Sequence, residues 1–225
     1  MPTFLRSDRE LHWFNNPKLL INPAPGTKLH PWLLDKGSLT AKLILLSQGE
    51  FRVKVLRQVH ARASHSEALA LGIAPQQLCL VREVILLGHN QPWVFARSVL
   101  PLTSLTGKLR HLRKQGSRPL GAFLFSQPKL TRSPISLSLI YRHHQYVPAA
   151  LIDDAPVWGR RSIFYVEGKP LLVSEVFLTG FPGAIVNKVF IDSANIENIV
   201  NKNAVKENSV QKSVIKEIAV EKNAV

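Results

Sequence analysis

An α+β fold is predicted for this chain, a single domain with roughly six antiparallel strands and helices packed on the sheet. Three observations carry the prediction. Runs of apolar and β-branched residues such as "LCLVREVILL" (78–87) and "PLLVSEVFL" (170–178) recur along the chain, and they are joined to their neighbours by connectors of only a few residues. Short connectors of this kind link antiparallel strands, whereas parallel strands need long crossovers. Helical patterns fall in clusters rather than after every strand, which excludes a βαβ succession. Finally, 225 residues with 45% apolar and 20% charged side chains suffice for one sizeable core.

The elements follow in order. "NNPKLLINPAPGTKLHP" is rich in Pro and Asn and reads as loop. In "WLLDKGSLTAKLILLS", Ser38 is a plausible N-cap and Leu39, Leu43 and Leu46 recur at helical spacing, so a helix is expected from about Ser38 to Ser47. "FRVKVLRQVHA" alternates Phe51, Val53 and Val55 with Arg52, Lys54 and Arg57, a half-exposed strand with a slip after Val55. "SHSEALALG" is a short helix stopped by Gly72. "LCLVREVILL" and "PWVFARSVL" form an antiparallel hairpin around "GHNQ". Short helices broken at Gly107, Gly116 and Pro119 are expected over 102–125, followed by a strand in "LTRSPISLSLI". A second hairpin in "SIFYVEGKPLLVSEVFL" turns at Glu167-Gly168.

The domain is expected to span 1–182, and residues 183–225 differ in kind. From Asn201 the chain reads "NKNAV KENSV QKSVI KEIAV EKNAV", with an apolar residue at every fifth position. A step of five overshoots a helical turn by about 140°, so these side chains wind around a helix and form no stripe. A low-complexity, mobile tail is expected there.

The net charge is +14, with 29 Lys and Arg against 15 Asp and Glu. That balance suits nucleic acid, an anionic membrane surface or an anionic metabolite, and it does not choose among them. The one cysteine, Cys79, has no partner for an internal disulfide and reads as a small buried hydrophobe. No uninterrupted apolar run of transmembrane length occurs, and "MPTFLRSDRE" lacks the order of a signal peptide, so a cytoplasmic protein is expected.

Glycine-rich phosphate loops, G-x-S-x-G, H-E-x-x-H and paired cysteines are all missing from the sequence. His143-His144 with Asp153-Asp154 is weak as a metal site because adjacent residues on an extended strand face opposite ways, and no metal is expected. "KLRHLRKQGSR" (108–118) is a basic segment that reads as a solvated face, a lure for small carboxylates, or a nucleic-acid contact without interleaved aromatics. The sharper signal is charge inside apolar strands. On a strand, Arg82 shares a face with Leu80, Val84 and Leu86, Glu83 lies on the other face, and Glu175 sits with Leu171, Val173 and Phe177. Two readings stand side by side. Arg82 and Glu175 form a buried ion pair, or they line a covered apolar pocket in which Arg82 grips a ligand carboxylate while Glu175 meets a second polar group.

The pieces "WLLDKGSLT", "LVREVILL", "PWVFARSVLP", "RPLGAFLF", "LTR", "WGRRS" and "GKPLLVSEVFL" resemble, in order, the chorismate lyases that make 4-hydroxybenzoate for ubiquinone. The resemblance covers roughly residues 30 to 180. It implies a carbon-oxygen lyase that removes pyruvate from chorismate without metal or cofactor. It also implies that Arg82 binds the ring carboxylate, assisted by the Leu120 N–H, that Glu175 meets the ring hydroxyl, and that Leu39 lines the site mainly through its main chain. Arg82 and Glu175 are thereby the candidate catalytic residues, and whether Glu175 is a base or only holds the hydroxyl stays open. A monomer acting on a small molecule, without nucleic acid, is expected. The insertion "SLIYRHHQYVPAALIDDAP" and the tail depart from the family's pattern.

Two rivals belong to other classes. A ligand-sensing domain of the kind found in GntR-like transcription regulators would bind its effector without turnover, but about thirty residues before Trp32 are too few for a winged helix. A nucleic-acid-binding protein would show steeply salt-dependent affinity.

Overall fold

The computed structural model describes residues 11–15, 25–26 and 28–184, so the pentad tail lies outside the described residues. One antiparallel sheet dominates. Its strands are β1 (Phe51–Arg62), β2 (Leu78–Gly88), β3 (Gln91–Pro101), β4 (Thr131–Arg132), β5 (Ser136–Ile140), β6 (Val157–Val166) and β7 (Lys169–Phe177), in the order β1-β2-β3-β7-β6-β4 with β5 also on β6. Among the described residues four α-helices accompany it: α1 (His30–Leu34), α2 (Leu39–Leu46), α3 (His65–Leu71) and α4 (Leu120–Phe125).

Strand count differs from expectation for a local reason. β4 and β5 pair with successive stretches of the same strand, β6, and Pro134 lies between them. Proline has no N–H for the ladder, so the sixth strand position is occupied by two short segments. Ser133 spans the gap: its N–H donates to the Ile163 carbonyl at 2.8 Å, and its hydroxyl accepts from the Ile163 N–H at 2.9 Å.

The hairpins form where the turn residues allow it. His89 and Asn90 both take positive φ, 50° and 60°, as a two-residue connection that follows the strand twist requires. Glu167 and Gly168 repeat this at the β6–β7 turn. The slip in β1 is a register shift between Val55 and Arg57, which keeps Val53 and Val55 on the core. Ser38 caps α2 by accepting from the Ala41 N–H, and Ser64 with Glu67 forms a capping box on α3. Gly72 closes α3 in the left-handed conformation. Gly107 opens a 3-10 helix, Gly107–Lys114, where a break was expected. α1 starts on the last two residues of the stretch read as loop, with a proline in its first turn, and runs on through Leu34.

Both faces of the sheet are covered. The first face carries Leu80, Arg82, Val84 and Leu86 of β2. At one end of it, Leu33 of α1 and Leu39 and Leu43 of α2 pack with Val84, Ala96 and Phe177. At the other end, Leu109 and Leu112 of the 3-10 helix and Leu120 and Leu124 of α4 pack with Leu80, Leu100 and Leu171. The second face is covered by α3, by the segment around Leu11, and by the 141–152 insertion through Val147 and Ile152. The compact unit containing the sheet extends to Val186.

Candidate functional site

Between the two apolar ends of the first face lies a polar band. Cross-strand pairing sets it out as two adjacent rows: Arg82, Ser98, Val173 and Ser162, then Val84, Ala96, Glu175 and Arg160. Arg82 and Glu175 therefore point to the same side of the sheet. Most of the polar members are withdrawn from solvent, Arg82 to 4% and Arg160 to 1% exposure, while the Glu175 side chain keeps 18%.

Arg82 and Glu175 are not an ion pair. Glu175 accepts from Arg160 Nε at 2.6 Å. Arg82 instead donates through Nη2 to the carbonyls of Gly116 (2.8 Å) and Arg118 (3.2 Å), just before α4, and its buried Nε has no partner among the described residues. Burial pushes the Arg82 guanidinium below its ordinary pKa. Carbonyl oxygens satisfy its protons without neutralising its charge. A buried guanidinium without an ion-pair partner, on the same face as the Arg160-bound Glu175, suits a small acid with a second polar group. Glu83 faces the other way, where it and Glu67 bracket Arg97; Glu67 does so at 2.7 and 3.0 Å.

Leu39 and Leu120 lie where the covering helices begin. Each is the first residue of its helix, so its N–H has no acceptor within that helix, and both side chains are buried. The two helix starts approach closely: a Cβ on Gly121 would fall 2.9 Å from Thr40 Oγ1.

Two arginines passed over in the sequence complete the band. Arg160 Nη1 donates to the carbonyls of Trp32 in α1 (2.5 Å) and of Asp35 just after it (2.9 Å). Arg132 Nη1 reaches the same Asp35 carbonyl at 3.4 Å and that of Lys36 at 3.0 Å, with its guanidinium 4.9 Å from the Phe164 ring centre. The Asp35 carboxylate pairs with Lys42 at 2.9 Å. Burial, and then the charge of Arg160, lower the pKa of Arg132, with Glu175 and Asp35 opposing. The signal for Arg160 was present: in β6, Trp158, Arg160, Ser162 and Phe164 alternate along one face as Leu80, Arg82 and Val84 do in β2.

His143 and His144 gather no metal set, since no group of three or more His, Cys, Asp or Glu able to hold an ion occurs among the described residues. Of the basic segment, Gly116 and Arg118 contribute carbonyls to Arg82. No helix among the described residues is long and apolar enough to cross a membrane.

Sheet, cover and polar band define an α+β domain with arginines buried between the sheet and the segments that cover its first face. The family model for chorismate lyase matches residues 12–190. A probable chorismate pyruvate-lyase of Pseudomonas fluorescens is 42% identical over 165 residues, covering 73% of this chain and 87% of that protein. Its counterpart in Psychromonas ingrahamii is 44% identical over 153 residues, covering 65% and 80%. Among solved structures, the effector domain of PhnF from Mycobacterium smegmatis aligns with a TM-score of 0.48 at 18% identity, covering 65% of this chain and 91% of that one. The chain belongs to the chorismate lyase family.

Proposed function

We propose that this protein eliminates pyruvate from chorismate to give 4-hydroxybenzoate, the first step of ubiquinone biosynthesis, acting as a cytoplasmic monomer without metal or cofactor. The observation that carries the reading is Arg82, buried on the same face as Glu175 yet neutralised by no carboxylate. In this reading Arg82 holds the ring carboxylate, and the Leu120 N–H supports it from the start of α4. Glu175, set by Arg160, meets the ring hydroxyl. Leu39 closes the site from the start of α2.

The chemistry asks little beyond placement. The C3–O bond breaks, C4 gives up its hydrogen, and the departing enolpyruvate takes up a proton to become pyruvate. The remaining ring is aromatic, so the reaction runs downhill and gains most from confinement, orientation and fixed charge. In this reading Glu175, held by Arg160, either accepts the C4 proton or only holds the ring hydroxyl. Activity is expected to survive exhaustive chelation, and a loss restored by one divalent ion would overturn the metal-free reading.

The deciding experiment mixes purified protein with chorismate and assays 4-hydroxybenzoate and pyruvate. Equimolar formation of both is expected. Tight binding of 4-hydroxybenzoate without turnover would return the chain to a sensing role.

A further inference from the structure

Two arginines on the first face of the sheet form no ion pair among the described residues: Arg82 and Arg132. In both, Nε is buried without a partner among the described residues, and the Nη atoms donate to main-chain carbonyls. Arg160 differs, because Glu175 neutralises it. Among the described residues around the polar band, Lys42 pairs with Asp35 and Arg160 with Glu175, which leaves the positive charges of Arg82 and Arg132 without an ion-pair partner. Burying charge without a counter-charge is costly, so two such groups on one face call for two anionic groups on whatever binds between them.

Their placement is also informative. Arg82 stands on β2 and Arg132 on β4, four strand spacings apart, or about 19 Å at roughly 4.8 Å each, a span for two long side chains and a ligand between them. Arg132 lies on the Glu175 side, because it and Arg160 share the Asp35 carbonyl and Arg160 holds Glu175. Chorismate carries its second carboxylate on the enolpyruvyl ether, attached to the ring carbon next to the one bearing the hydroxyl. If Glu175 meets that hydroxyl, the ether starts one ring carbon away, at the end of the band where Arg132 stands.

We propose that Arg132 binds the enolpyruvyl carboxylate and so distinguishes substrate from aromatic product, an assignment that rests on the chorismate lyase reading. Arg82 and Glu175 serve features that both molecules share. Arg132 serves the one carboxylate that leaves with pyruvate.

The test compares the two ligands in the full-length chain and in Arg132→Met and Arg132→Lys. For Arg132→Met, kcat/KM for chorismate is expected to fall about thirty-fold or more, the scale for truncating one partner of a buried charge pair. The Kd for 4-hydroxybenzoate should stay within about two-fold of the parent, because product makes no use of this charge. Arg132→Lys should recover part of the loss, since it keeps the charge without the planar fork. Chorismate turnover and 4-hydroxybenzoate affinity falling in parallel, in both variants, would show that Arg132 only fastens residues 35 and 36, and would overturn the assignment. Unchanged chorismate kinetics in Arg132→Met would overturn it equally. A parent protein that neither turns over chorismate nor binds 4-hydroxybenzoate would instead overturn the functional reading beneath it.

Discussion

Arg160 and Glu175 face each other across β6 and β7, with Nε 2.6 Å from Oε2 and the arginine almost wholly withdrawn from water. The same guanidinium holds the Trp32 and Asp35 carbonyls, so one side chain fixes both the acid of the site and the segment that covers it. Arg160→Met is therefore expected to destabilise the fold by about 3–5 kcal/mol, because it strands a partly buried carboxylate. Urea denaturation measures this, and a loss under about 1 kcal/mol would show the pair to be dispensable.

Arg82→Ala should behave differently. It frees two carbonyls and strands no acid, so the folding penalty should be about 1–2 kcal/mol. Stabilisation by 4-hydroxybenzoate in a thermal melt should nearly vanish, with only partial return in Arg82→Lys. A variant that melts far lower when unliganded, yet keeps the parent's full response to product, would make Arg82 a purely structural residue.

His144 supplies a pH signature away from the site. Its Nδ1 accepts from the Tyr141 N–H at 3.0 Å, which requires the unprotonated ring. Burial, with His143 adding to it, lowers its pKa from 6.5 to about 4. The folded state thus favours neutral imidazole. This contribution is complete above pH 6.5, and it drains away as pH falls toward 4, because the unfolded chain binds the proton first. The melting temperature should fall across that window, and His144→Gln should flatten the slope. An identical slope in both proteins would assign the effect elsewhere.

A chain ending at Val186, where the compact unit ends, is expected to fold and turn over chorismate like the full-length protein. The pentads beyond it offer no continuous apolar stripe for docking. Insolubility or lost activity would assign the tail a structural role. The cut belongs after Ala184 rather than at Gly183, since Ala184 is buried in the cluster that holds Phe181.

Local chemistry made much of the fold legible in the sequence. The Ser38 cap, the Gly72 stop, the slip after Val55 and both hairpin turns are each specified by a few neighbouring residues. What depends on distant partners was not legible. A period of two places Arg82 with Val84 and Glu175 with Phe177, but only the register of β2, β3 and β7 puts them on the same side. Nothing local reveals that Glu175 pairs with Arg160, since Arg160 and Arg161 stand next to each other and face opposite ways. Arg161 donates to Ser66 Oγ at 2.8 Å on the second face. The strand count was off by one through Pro134, whose missing N–H becomes informative only once its ladder is known.

The segments closing the site are fastened by guanidinium groups to main-chain carbonyls: Arg82 to 116 and 118, Arg132 to 35 and 36, Arg160 to 32 and 35. Arginine stays protonated in proteins, and a peptide carbonyl has no proton to gain or lose in water of ordinary acidity. Such a latch, unlike one made of carboxylates and histidines, has no acid key. Acidification leaves these fastenings in place, so a pH profile of turnover reports on the reacting groups and not on the release of the segments that cover them.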